Sequence, residues 1–181
     1  MASRIALFDM DETIVDFTGP LRTRLAKTFS PGEEMPTDLF NMPMYMYERI
    51  QAIKKESGFW RNLPPLGWGM ELMSLFRAKG YQIHIVSKGP TTGAIAWSEK
   101  VEWVESHLSD VTLHLTQNKS MIHGDVFVED RWDFLSKWLL RNKGGKGIMN
   151  TRPNIVGCEA LEAAGILYVV PRDLEIIKAR L

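Results

Sequence analysis

The feature that most restricts the architecture of this chain is a rhythm. Short β-rich runs alternate with segments of helical periodicity, the runs falling at Arg4–Phe8, Tyr81–Val86, Val111–Leu115, Val126–Val128, Gly147–Met149 and Leu167–Val170. Strands joined through helices pair in parallel, because the connection must cross the sheet and the helix covers a face on the way. The stretch PLGWGMELMSLFRAKGYQIHIVS illustrates the unit. Met70, Leu72, Met73, Leu75 and Phe76 supply a helical apolar stripe, Gly80 suits the helix exit, and Ile83, Ile85 and Val86 make a buried strand. The expected fold is therefore α/β, a three-layer Rossmann-like parallel sheet between helices. Residues 19–65 break the rhythm: they are rich in proline and methionine and contain no convincing strand. They are read as a small helical cap inserted after the first strand, with residues 1–18 and 66–181 forming the α/β core domain.

A chain of 181 residues with 45% hydrophobic residues can bury one sizeable core. Lys plus Arg and Asp plus Glu are balanced at 22 each, so the surface is not built to wrap a nucleic acid polymer, while a small anionic ligand fits. Cys158 is the sole cysteine, which excludes an intrachain disulfide framework, fits a reducing compartment and reads as a core thiol. Arg4 is followed by a short apolar run ending in Asp9, with neither a signal peptide nor a membrane span, so a cytoplasmic protein with no membrane partner is expected. Pairing into a homodimer is a further possibility.

In open α/β sheets ligands sit at the carboxyl ends of the strands. The polar residues of this chain fall at those ends with regularity: Asp9 and Asp11 after the first run, Ser87 and Lys88 after the second, Thr116 to Lys119 after the third, Glu129 and Asp130 after the fourth. Acids at buried strand ends need compensation by a metal, a cation or hydrogen bonds.

The stretch DMDET resembles the DxDx[TV] signature of the haloacid-dehalogenase-like phosphatase superfamily, with Ser87, Lys119 and the pair Glu129–Asp130 similar to its second, third and fourth motifs in order. A narrower likeness is to the 5'(3')-deoxyribonucleotidase family. It rests on FWRNLPPLGWGMELMSLFRAKGYQIHIVSKGP, EKVEWVESHL, LTQNKSMIHGDVFVEDR and Phe17, and covers most of residues 4 to 140. That family usually has Gly-Val where this chain has Glu12-Thr13, and an Asp-Asp pair where this chain has Glu129-Asp130. The resemblance implies a Mg²⁺-dependent phosphomonoesterase acting on nucleoside monophosphates through an aspartyl-phosphate intermediate.

On the residues themselves, Asp9 suits a nucleophile, since a carboxylate attacking phosphorus makes a mixed anhydride that water cleaves later. Asp11, on the same side of an extended chain, suits the acid that protonates the leaving alkoxide and the base that activates water. Mg²⁺ takes oxygen ligands and binds through one or two carboxylates plus a phosphate. Asp9 and Asp130 are the expected side-chain ligands, with the main-chain carbonyl of Asp11 as a third on the family resemblance. Glu129 is expected to hold metal-bound water, or else to pair with Arg131. Lys119 would stabilise Asp9 and the phosphoryl oxygens. Ser87 and the backbone of SKGP would donate to a phosphoryl oxygen. Lys88 and Lys100 are weaker candidates for substrate contact, a solvated lysine being the alternative for each. Phe17, Phe59 and Trp60 match positions that line the base pocket in the nucleotidase family, the alternative being packing within the cap. Met35, Met42, Met44 and Met46 suit either an adaptable cap surface or, as the preferred reading, gap-filling in a small core. The four histidines show no metal spacing. Competing readings are a phosphatase for another small phosphomonoester such as a sugar phosphate, and a non-catalytic phosphate-binding regulatory protein. A signalling receiver domain is disfavoured, because its phosphorylated aspartate follows the third strand rather than the first.

Overall fold

The computed structural model describes residues 4–37, 39, 42–89, 93–151 and 153–169. Among them six strands, β1 (Arg4–Phe8), β2 (Tyr81–Ser87), β3 (Val111–Leu115), β4 (Val126–Val128), β5 (Lys146–Met149) and β6 (Leu167–Val169), form one sheet in the order β3-β2-β1-β4-β5-β6. Every neighbouring pair is parallel. The expected α/β fold is therefore present; β2 runs one residue further than its apolar run, β5 starts one residue earlier, and Val170 lies outside the described residues.

β1, β2, β4 and β5 bury residues on both faces. Ala6, Phe8, Ile83, Ile85, Val126, Val128 and Ile148 enter one apolar cluster, while Leu7, Val86, Phe127 and Met149 enter another. Burial on both faces is why these runs read as continuously apolar rather than alternating. On the first face α3 (Gly67–Ala78) contributes Leu72, Met73 and Phe76, and α4 (Ala94–His107) contributes Ala96, Trp103 and Val104. On the second, α5 (Trp132–Arg141) and α6 (Cys158–Ala163) contribute Leu135, Trp138 and Cys158, so the lone thiol is buried core.

Two glycines fix the α3 unit. Gly80, at φ +80°, ends the helix in the left-handed conformation and donates its N–H to Arg77. A Cβ on Gly69 would stand 2.0 Å from the Thr13 carbonyl oxygen, so only glycine lets α3 approach the turn after β1.

Residues 19–65 contain nearly all of α1 (Thr18–Ala26), the whole of α2 (Met44–Ile53) and no named strand among those described. Leu21, Leu25, Met46, Ile50, Ile53, Phe59, Trp60 and Leu63 from this region join the first-face cluster, so its apolar side chains are continuous with the core on that face. Met46 is buried and Met35 and Met42 partly so, as gap-fillers are, but Met44 is 70% exposed. No helix among the described residues is long and apolar enough to cross a membrane.

The strand order also places the site. From β1 the chain moves outward to β3, then returns to β4 on the other side of β1, which puts the topological switch point, where open α/β sheets have their ligand crevice, at the carboxyl ends of β1 and β4.

Two outcomes test this packing. Trp138 is fully buried, donates Nε1–H to the Ile122 carbonyl at 2.8 Å and lies 5.5 Å from the Phe127 ring. Trp138→Ala is expected to cost about 3–5 kcal/mol in chemical denaturation. His84 and His114, on β2 and β3, face each other with ring nitrogens 3.0 Å apart, and burial lowers the pKa of both, the charge of His114 adding to the effect on His84. The folded chain thus binds fewer protons than the unfolded chain, so this contribution is intact above the ordinary histidine value and is lost as pH falls below it. The melting temperature should drop from neutral to mildly acidic pH, and His114→Gln should flatten that drop; an identical profile in the variant would remove the pair as its cause.

Candidate active site

The ladders of β1 and β4 continue one residue past the strands. Asp9 donates its N–H to Val128 at 2.9 Å and Glu129 donates to Ile148 at 3.0 Å, so sheet hydrogen bonds hold both acidic residues. Both carboxylates are buried, and so is Lys119, the first residue of a 3₁₀ turn over Lys119–Met121. The turn is capped by the Asn118 side chain, which accepts from the Ser120 N–H and hydroxyl. Lys119 Nζ donates to Asp9 Oδ1 at 2.5 Å and to Glu129 Oε2 at 2.8 Å.

Burial by itself would lower the pKa of Lys119, but the charges of Asp9 and Glu129 outweigh it and the net movement is upward. Burial and the neighbouring Asp9 charge push Glu129 well above the usual carboxylate range, and the same causes push Asp130 up to about 7. One ammonium does not compensate three crowded acids. Oxygens of Asp9, Glu129 and Asp130 lie within 4.8 Å of one another, and the set is all carboxylate. Such a donor set fits a hard divalent cation. Glu129, expected outside the ligand set, has an oxygen inside this cluster. The Arg131 guanidinium engages Asp133, while Glu129 accepts the Arg131 backbone N–H at 3.2 Å besides the Lys119 ammonium.

The Asp11 carboxylate turns away from that cluster. Its Oδ2 accepts from Lys100 Nζ at 2.6 Å, and the same ammonium donates to Ser87 Oγ at 2.9 Å and stands 4.5 Å from the Trp60 ring centroid. Lys100 is wholly buried, so neither the solvated reading nor a free substrate contact describes it. Ser87 is brought to Asp11 through this lysine. Lys88 is exposed and lies 5.4 Å from the Phe134 ring. The residues after it, Pro90 to Thr92, fall outside the described set.

The three aromatics do assemble. Phe17 stacks on Trp60 at 5.3 Å, and Phe59 meets both edge-on at 5.8 and 5.2 Å. Phe59 is fully buried and Trp60 nearly so, leaving Phe17 as the ring with surface to offer. The Lys54 ammonium sits 5.9 and 5.8 Å from the Phe17 and Trp60 rings, and burial lowers its pKa.

Sequence reasoning passed over Glu99. Its buried carboxylate accepts the backbone N–H of Gly58 at 2.5 Å and of Trp60 at 3.0 Å, clasping the loop that carries the aromatics. A signal existed: Ala96, Glu99, Lys100, Trp103 and Val104 are the buried positions of α4, so two charges occupy a core-facing stripe. Glu12, where the nucleotidase family usually has glycine, adopts φ +60° and accepts the N–H groups of Phe17 at 3.1 Å and Thr18 at 2.6 Å, capping α1.

Known proteins resemble this chain at two levels. A protein of Bordetella bronchiseptica called "Putative 5'(3')-deoxyribonucleotidase" is 33% identical over 144 residues, 70% of this chain and 74% of that protein. A like-named protein of Bordetella pertussis is 36% identical over 84 residues, so the match spans about half its length, 45%. Among solved structures, the "putative beta-phosphoglucomutase from Thermotoga maritima" shares the fold at 15% identity and a TM-score of 0.56, covering 98% of this chain and 100% of that one. The magnesium-bound "putative HAD-hydrolase YfnB from Bacillus subtilis" does so at 11% identity and a TM-score of 0.52, covering 100% and 99%. The model of one family, described as "5' nucleotidase, deoxy (Pyrimidine), cytosolic type C protein", matches residues 3–163, and the chain belongs to that family.

Proposed function

We propose that the chain is a Mg²⁺-dependent phosphomonoesterase, a cytoplasmic 5'(3')-deoxyribonucleotidase that dephosphorylates nucleoside monophosphates. The observation that carries this reading is the Lys119 ammonium joined to Asp9 and Glu129, with Asp130 beside them, at the crevice between β1 and β4. In this reading residues 1–18 and 66–181 supply the chemistry and residues 19–65 form a cap that recognises the organic part of the substrate.

Asp9 is the nucleophile. A bond forms between its carboxylate oxygen and phosphorus while the ester P–O bond breaks, and the leaving oxygen takes that electron pair and a proton from Asp11. A water then gives a proton to Asp11, its oxygen bonds to phosphorus, and the Asp9–phosphorus bond breaks to release phosphate. Lys119 keeps a fixed positive charge beside Asp9 as negative charge spreads over the phosphoryl oxygens. Ser87 accepts from Lys100 and keeps its own O–H to donate to a phosphoryl oxygen. Asp9, Glu129 and Asp130 would hold the metal, with the Asp11 carbonyl as the family resemblance implies. When bound, the ion supplies the positive charge that lets one anion approach another. The exposed flank of Phe17, backed by Trp60 and edge-on Phe59, is the surface for a base, and Lys88 is a further contact at the rim.

Phosphate release from deoxy- and ribonucleoside monophosphates and sugar phosphates, with magnesium and with chelator, tests the proposal. Deoxyribonucleoside monophosphates should turn over with the metal and stop with chelator, and Asp9→Asn should abolish turnover in a folded protein. Turnover by Asp9→Asn above a few per cent would remove Asp9 as nucleophile, and a preference for sugar phosphates would replace the substrate assignment. Phe17→Ala tests the base platform. Loss of one stacking partner, about 1–3 kcal/mol, should lower kcat/KM for nucleotides roughly ten- to a hundredfold. Acetyl phosphate, which has no ring, should be hydrolysed as before; equal losses on both would return Phe17 to packing.

A further inference from the structure

We infer that Lys100 is a positioning residue that gives the two oxygens of Asp11 different tasks, an inference resting on the phosphatase reading above. The ammonium has three N–H donors. One points to Asp11 Oδ2 at 2.6 Å and one to Ser87 Oγ at 2.9 Å, and the face of Trp60, 4.5 Å to its centroid, takes the remaining side. With the residue wholly buried, no donor is left for substrate. Its positive charge acts on the acid.

The other oxygen of Asp11 completes the argument. Oδ1 is buried and, among the described residues, has no hydrogen-bond partner. A buried acceptor left unpaired is costly, and such exceptions in a native structure call for an explanation. The oxygen turned to a cation is a poor place for a proton, so Lys100 directs the proton of the acid form to Oδ1. Oδ1 is then the atom that gives its proton to the leaving oxygen in the first step and takes one from water in the second. Lys100 holds Oδ2 fixed through both steps and exchanges no proton itself.

A lysine that merely tied the turn after β1 to α4 would have the same contacts, so the test must separate positioning from support. Leaving-group dependence does this, because a nucleoside alkoxide needs the proton as it departs and 2,4-dinitrophenolate does not. The measured quantity is kcat/KM, which covers the steps up to the aspartyl phosphate, for a deoxyribonucleoside monophosphate and for 2,4-dinitrophenyl phosphate in the same preparation. Lys100→Met keeps the buried stem and removes the charge. It should lose about 10²-fold or more on the nucleotide, the scale of general acid catalysis, with far less loss on the dinitrophenyl ester. The ratio is unaffected by partial unfolding. If Lys100→Met does not accumulate as folded protein, Lys100→Gln is judged by the same ratio.

Asp11→Asn in the same assay separates the two levels of the argument. Its failure to show the selective loss would overturn the general-acid reading of Asp11. Selective loss in Asp11→Asn together with equal losses on both esters in the lysine variant, or no loss, would overturn the positioning role of Lys100 alone.

Discussion

The acidic cluster at the carboxyl ends of β1 and β4 depends on one buried ammonium between two buried carboxylates. Lys119 reaches Asp9 and Glu129 from a separate turn, and without it two acids at adjacent strand ends would face each other in a low dielectric. The sheet creates the problem and also the solution. β1 and β4, the central strands, are buried on both faces toward their carboxyl ends, so their acids gather where the strands stop. Parallel pairing then brings the ends of β1 and β4 side by side. A single lysine does not compensate Asp9, Glu129 and Asp130, and Asp130, raised to about 7, shows the surplus. That surplus of negative charge suits the cluster to a divalent cation, which the closed Lys119 ion pair alone would not.

A second charge arrangement is carried by α4. Glu99 and Lys100 are adjacent, so on a helix their side chains leave about 100° apart. The carboxylate accepts the backbone N–H groups of Gly58 and Trp60, and the ammonium reaches Asp11 and Ser87. Trp60 is gripped by both, through its N–H by Glu99 and against its ring by Lys100. The aromatic platform and the candidate acid are therefore set by one turn of one helix. Moving either means disturbing a buried charge.

The sheet and the strand-end residues were legible because they depend on local pattern: apolar runs, a helical stripe and polar residues immediately after strands. Lys119 followed from motif order. The fate of Lys100 did not, because whether a lysine is buried depends on a partner 89 residues away, and no local spacing contains that. The charged pair inside the α4 stripe was the available hint, since core-facing positions seldom carry unpaired charge. Phe59 shows the opposite limit. Residue type and order identify an aromatic position but not which of three touching rings keeps an exposed face.

Glu12 shows how a departure from the family pattern can be absorbed. An L residue at φ +60° costs roughly 1–2 kcal/mol relative to glycine, and here the side chain caps the start of α1 through two backbone N–H groups, a device worth about 0.5–2 kcal/mol. The two are of similar size, so the backbone tolerates the change and gains a link that glycine cannot make. The turn bearing Asp11 is then held on three sides. Met10 accepts the N–H groups of Thr13, Ile14 and Val15, Glu12 fastens the turn to α1, and Lys100 fixes the Asp11 carboxylate from α4. In the proposed mechanism Asp11 gives up a proton and regains it, and such restraint serves that role, because misplacement by about 1 Å can cost on the order of a hundredfold in rate. The restraint on the Asp11 turn comes from its neighbours in the turn and from two helices, and Glu12 adds to it.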